Sequence, residues 1–171
     1  MKSLHVLHTE AATGWGGQEI RVFQETALLL ERGHRVSLVC QTGSPLDEHC
    51  RAISNPQFHL EPISMKRAMN PGSFMALYRY ISKVSLDIIH THSSVDSWLA
   101  GLAGKVSGVP VVRTRHVSLP VKDFFPNHLL YSYIPERILT SGGMIADIVK
   151  QVRCVDSSRV VPISAGVDLR R

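Results

Sequence analysis

The sequence predicts an α/β domain, a parallel sheet with helices on both faces, and three observations predict it. Apolar runs of strand length alternate with helix-period segments along the whole chain. A glycine-rich turn, Thr13-Gly14-Trp15-Gly16-Gly17, separates the first strand from the first helix, where such sheets place a ligand. The length of 171 residues suits one domain with a single sizeable core and is too short for two full-sized ones.

Residues 4–8 read as the first strand, and a helix follows over 17–32 with Ile20, Phe23, Ala27 and Leu30 on one face and Gly33 closing it. Residues 35–41 form a second strand. After the turn Thr42-Gly43-Ser44-Pro45 comes a short helix with Asp47, Glu48 and Arg51 on its wet side. A third strand fits 58–63. Asn70-Pro71-Gly72 starts a helix striped by Phe74, Leu77, Tyr78 and Ile81, and 86–90 is a buried strand. A helix over 94–106 ends at Gly108, a strand covers 109–114, and 115–126 is a long irregular loop. Residues 137–140 form a strand, Ser141 caps a helix running to 152, and 160–163 is the last strand.

Apolar residues make up 44% of the chain and charged ones 19%, which excludes a disordered or fibrous protein. The longest apolar stretches fall far short of the roughly 20 residues that cross a bilayer. The N-terminus lacks the pattern of a secretory signal, so a cytoplasmic location is expected. Cys40, Cys50 and Cys154, widely spaced with no CxxC pair, are expected to be free thiols, mostly buried. A net charge of +5 favours anionic partners.

In open parallel sheets the ligand crevice lies at the carboxyl ends of the strands, which selects the turn at 13–19, the segment 90–96, the loop 113–126 and the end at 163–168. Gly16 and Gly17 allow backbone N–H groups at a helix N-terminus to approach a diphosphate. The spacing is not GxGxxG, and the second strand ends in Cys40-Gln41-Thr42 without an acid for a ribose, so a nicotinamide-dependent reading is poorly supported. His90 and His92 project to one side of a strand end, but no third ligand lies at a recognisable spacing, so no metal is expected there and sugar-hydroxyl bonding or packing is favoured. His116, in the basic and hydroxyl-rich run from Arg113 through Arg115 to Ser118, suits a charged or hydroxylated substrate. Phe124, Phe125, Leu129, Leu130, Tyr131 and Tyr133, with Lys122, Lys66 and Arg67, suit an anionic membrane surface, although core packing is the commoner fate of such aromatics.

Several stretches resemble the N-terminal half of family-four glycosyltransferases of the GT-B fold. They are Gly16-Gly17-Gln18-Glu19 with LLLERGHRV at 28–36, DIIHTH at 87–92, VVRTRH at 111–116, and the serine-led helix at 141–149. The segment VVPISAGVD at 160–168 resembles that family's strand into an Asn-Gly-Val-Asp hinge, with Ser164-Ala165 standing where Pro-Asn is usual.

The resemblance implies a Rossmann-like domain over 1–168, a hinge beginning at 169–171, and a donor-binding C-terminal domain outside this chain. It implies metal-independent, retaining glycosyl transfer from a nucleotide-diphosphate sugar, with no other cofactor. Gly16 and Gly17 would face the donor diphosphate, His116 would reach the donor sugar as the catalytic residue, and His92, Ser94, Asp96 and Arg115 would serve the acceptor. The expected partners are a nucleotide sugar, a cell-envelope or lipid-linked glycan acceptor, the donor domain and an anionic membrane at its inner face; nucleic acid is not among them. The chain alone should be nearly inactive. A non-catalytic carbohydrate- or nucleotide-binding module and a nucleotide-sugar isomerase domain stand as alternatives.

Overall fold

The computed structural model describes residues 2–164 and 166; the expected hinge at 169–171, with Val167 and Asp168, lies outside them. The chain runs β1 (His5–Glu10), α1 (Gly17–Glu31), β2 (Arg35–Cys40), α2 (Pro45–Cys50), β3 (Phe58–Pro62), α3 (Pro71–Lys83), β4 (Ile88–Thr91), α4 (Ser94–Ser107), β5 (Val111–Arg115), α5 (Phe125–His128), β6 (Arg137–Thr140), α6 (Gly143–Lys150) and β7 (Val160–Pro162). A π-helical turn, Leu129–Tyr133, extends α5.

Seven strands form one sheet in the order β3-β2-β1-β4-β5-β6-β7, and every pairing is parallel. The chain builds outward from β1 to β3, then returns to place β4 on the other side of β1. Strand order therefore reverses between β1 and β4, and the loops leaving their carboxyl ends diverge to open a crevice.

Both faces of the sheet are covered, as alternate residues of β2 record. Leu38 and Cys40 pack in a cluster with Val22 of α1 and Leu46 and Cys50 of α2. Val39, pointing the other way, joins Leu77, Ile89, Leu99, Ile134 and Val149 in the larger core. The close seat of α4 depends on two glycines. A Cβ on Gly104 would lie 2.6 Å from Ile89 Cδ1 and 2.9 Å from Val111 Cγ2, and one on Gly101 would lie 2.8 Å from Ile134 Cγ2. Gly108, at φ +71°, turns the chain out of α4 in the left-handed conformation.

The sequence-derived elements fall where expected to within one to three residues at most ends, with four corrections. The buried stripe of α1 runs through Val22, Thr26 and Leu30, leaving Ile20 on the surface. Asp47 is not on the wet side of α2: it is buried, accepting from Gly43 N at 2.9 Å while Arg51 reaches over to pair with it. Ser141 does not cap α6, whose N-cap is Gly142 without a side-chain bond. The aromatic segment divides, with Leu130 and Tyr131 in the core but Phe124, Phe125 and Tyr133 exposed. Cys40 and Cys50 are buried free thiols, and Cys154 is half-buried. No helix among the described residues is long and apolar enough to cross a membrane.

Candidate functional site

The polar residues of this domain converge on the carboxyl edge at the β1/β4 switch point. β1 ends in His8, Thr9 and Glu10, all buried, which is unusual chemistry for the centre of a sheet. Parallel register sets His8 beside His90 and Thr9 beside Thr91.

Four imidazoles gather here. His8 Nδ1 lies 2.9 Å from His92 Nε2, His92 Nδ1 lies 3.2 Å from His116 Nε2, and His90 Nε2 lies 2.6 Å from Thr114 Oγ1. The three contacts between His8, His90 and His92 have ring centroids 4.1 to 5.2 Å apart. Burial pushes His8 and His90 down to about 3 and His92 well below the ordinary imidazole value, and neighbouring histidines and Arg21 add to the shift. His116 is half-buried and pushed down to about 4 by desolvation and by the Arg21 charge. At neutral pH each ring carries one proton, so each is at once a donor and an acceptor.

From above, α1 contributes Arg21 and Glu25. Arg21 Nε donates to Glu25 Oε1 at 2.7 Å, Arg21 Nη1 reaches Ile163 O at 3.2 Å, and Glu25 Oε2 stands 3.8 Å from His90 Nδ1.

The turn before α1 presents exposed Gly16 and Gly17, with nothing within 4 Å of a Cβ built on Gly17. Gly17 is the first helical residue, so its N–H has no intrahelical acceptor. The N–H of Gly16, however, donates to Glu19 Oε2 at 2.7 Å, the half of a capping box that a glycine N-cap allows. An anion at this turn must displace Glu19 to use both amides.

Beneath the crevice, Asp96 organises the loop after β4. Its carboxylate accepts from Thr9 Oγ1 at 2.8 Å, His92 N at 2.9 Å, Ser93 N at 2.7 Å and the Ser93 hydroxyl. Burial raises both Asp96 and its neighbour Glu10, Glu10 to about 8 with the Asp96 charge adding to the rise. With four donors on Asp96 against two on Glu10, the negative charge resides on Asp96 and the proton on Glu10.

Of the residues expected at the site, His116 and Ser94 reach the crevice surface together with Gly16 and Gly17. Three others are buried and engaged within the fold. Asp96 is wholly buried with its oxygens occupied, and His92 is 2% exposed and lies behind His116. Arg115 turns inward, donating to Tyr131 Oη at 2.6 Å and to Leu119 O. Sequence reasoning missed His8, Arg21 and Glu25. His8 was visible as a polar residue in an apolar strand, but only the β1/β4 register brings it to His90.

A second feature lies further along the same chain segments. Met69 and Phe125, 76% and 70% exposed, border a cavity of about 410 Å³ whose walls also include Trp98, Pro126 and Leu129. Lys66, Arg67 and Lys122 are exposed in the flanking loops.

The family model described as Glycosyltransferase Family 4 matches residues 15–171. The chain is 33% identical over 125 residues to the UDP-Gal:alpha-D-GlcNAc-diphosphoundecaprenol alpha-1,3-galactosyltransferase of Escherichia coli, covering 68% of this chain and 32% of that protein. A glycosyltransferase from Rickettsia africae superposes with a TM-score of 0.80 at 18% identity, over 98% of this chain and 44% of that one. Anabaena HepE, solved in complex with UDP and glucose, superposes with a TM-score of 0.73 at 11% identity, over 98% of this chain and 46% of the other. The chain thus spans about a third of the curated relative and under half of each of these two structures.

Proposed function

This chain belongs to Glycosyltransferase Family 4, and on that premise we propose that it is the acceptor-side domain of a nucleotide-sugar-dependent glycosyltransferase that retains anomeric configuration and uses no metal in the transfer step. The observation that carries this reading is a neutral, half-buried His116 at the carboxyl edge of the sheet, 3.2 Å from His92 and within the field of Arg21 on α1. A neutral imidazole can accept a proton from, or donate one to, a sugar hydroxyl at physiological pH. The Gly17 amide, the α1 dipole and the Arg21 guanidinium supply positive potential where a departing nucleoside diphosphate accumulates charge. His92 and Asp96 position His116 and the α4 N-terminus, and Ser94 offers its hydroxyl to the acceptor.

The acceptor is read as a lipid-linked sugar, which the E. coli relative's substrate and the exposed apolar rim around Met69 and Phe125 support. The basic residues beside that rim suit an anionic membrane at the cytoplasmic face. Flotation with liposomes should carry the protein up with anionic vesicles and less with neutral ones, and Phe125→Ser should weaken the difference. Equal absence from both vesicle fractions refutes membrane docking.

Transfer is tested by nucleoside diphosphate release from a panel of UDP-sugars with a diphosphopolyprenyl-sugar acceptor. The assay compares this chain alone with the chain extended through its native downstream coding sequence. Release is expected from the extended protein only, and His116→Ala should reduce it by roughly 100-fold or more. No release from either protein favours a non-catalytic binding module, and release unaffected by His116→Ala removes the histidine from the mechanism.

A further inference from the structure

The histidine cluster has more ligand chemistry than glycosyl transfer requires. One ligating atom from each of His8, Glu25, His90 and His92 lies within 4.8 Å of the other three. Their hydrogen bonds leave an uneven remainder. His90 Nε2 is engaged by Thr114 Oγ1, which frees Nδ1 on the side facing Glu25. Arg21 holds Glu25 Oε1, which frees Oε2. His8 Nδ1 is engaged by His92, whose other nitrogen meets His116, and His8 Nε2 has no partner although the residue is 1% exposed.

A buried ring nitrogen without a partner is costly. His90 Nδ1 and Glu25 Oε2, 3.8 Å apart, are too far for a hydrogen bond and stand free toward the same space.

We propose that His8 Nε2, His90 Nδ1 and Glu25 Oε2 bind a divalent first-row transition ion of the zinc class. Two imidazoles and one carboxylate select such an ion over magnesium or calcium, which prefer oxygen ligands. Two tetrahedral ligands at zinc distances stand about 3.4 Å apart, so the His90 to Glu25 separation closes with a small rotation of the partly exposed Glu25. Each ligand already has the outer-shell partner that orients metal-binding side chains: Thr114 for His90, His92 for His8 and Arg21 for Glu25.

The ion also fixes protons. With His8 bound through Nε2, its proton sits on Nδ1 and is donated to His92 Nε2; His92 then donates from Nδ1 to His116 Nε2, leaving the His116 proton on Nδ1. Only this consequence for His116 rests on the transferase reading, since ion binding itself does not.

Chelator-treated protein is titrated with Co²⁺, then with competing Zn²⁺, and bound metal is counted. One ion per chain is expected, with cobalt absorption of nitrogen and oxygen ligation, no thiolate charge-transfer band and no competition from Mg²⁺. Glu25→Gln, at a partly exposed position that leaves the fold intact, should abolish stoichiometric binding, as should His90→Gln. Removing the outer-shell partner by His92→Phe should weaken it roughly 10- to 100-fold. His59→Ala and His128→Ala, outside the cluster, should bind as the parent does. Lack of stoichiometric uptake overturns the proposal. So does uptake unchanged in both Glu25→Gln and His90→Gln, or a thiolate band that moves the ion to Cys40 and Cys50.

Discussion

Chelator-treated protein should be most stable near pH 7 and should lose stability steeply as the pH falls toward 4. In the fold, His8 and His90 are held to about 3, His116 to about 4, and His92 well below its ordinary value, against about 6.5 in the unfolded chain. Below pH 6.5 the unfolded state therefore takes up protons that the native state refuses, and stability falls with pH. Their contribution is complete above the unfolded value and is lost progressively on acidification.

Glu10, raised to about 8, works in the opposite sense. Between pH 4.5 and 8 the native state keeps a proton that the unfolded state has released, so stability rises as pH falls through that window. Buried Asp96 shifts in the same direction. With the charge on Asp96, four histidines stand against the one proton held by Glu10, which leaves a net uptake on unfolding of about three protons, or roughly 4 kcal/mol per pH unit well below 6.5. Against a total stability of about 5–15 kcal/mol, this places acid unfolding near pH 4 to 5. Thermal melts from pH 4 to 8 check it. His8→Phe should flatten the acid limb by about one proton, and a melting temperature constant from pH 7 to 5 refutes the account.

Much of this architecture was legible in the sequence because local signals agreed with one another. Asn70-Pro71 does cap α3, Gly108 does end α4, and each strand run was bounded by turn residues. Parallel pairing then sends the turn at 13–19, the segment 90–96 and the loop after β5 to one edge. What was not legible depends on register and rotation. Reading α1 by its apolar residues put Ile20 inward with Phe23, whereas the helix turns to bury Val22 and Thr26 beside a half-buried Phe23, exposes Ile20, and sets Arg21 and Glu25 against the histidines. The pairing of His8 with His90 spans 82 residues of sequence that no spacing rule connects. Asp96 is a different case. Ser93 followed three residues later by an acid is a capping pattern that the residue order alone displays, and it competes directly with a ligand-binding role for the same carboxylate.

That competition makes Asp96→Ala the substitution with the largest expected loss of stability. It strands the Thr9 hydroxyl, the His92 and Ser93 amides and the Ser93 hydroxyl in a site with no exposure at Asp96. Breaking a buried charged hub by removing one partner costs about 3–5 kcal/mol. For a domain of this size that lowers the melting temperature by roughly 6–20 °C. Asp96→Asn keeps one acceptor oxygen but turns an NH₂ toward donors, so it should recover only part of the loss. Ser94→Ala, on the exposed side of the same turn, should change stability by less than about 0.5 kcal/mol. If Asp96 touched the acceptor directly, Asp96→Ala would raise the acceptor KM in a protein of normal stability. As the hub joining β1 to the α4 N-terminus, it should instead lower stability first and disturb the His92 to His116 contact with it. A melting temperature within about 2 °C of the parent, together with a raised acceptor KM, would return Asp96 to the acceptor site.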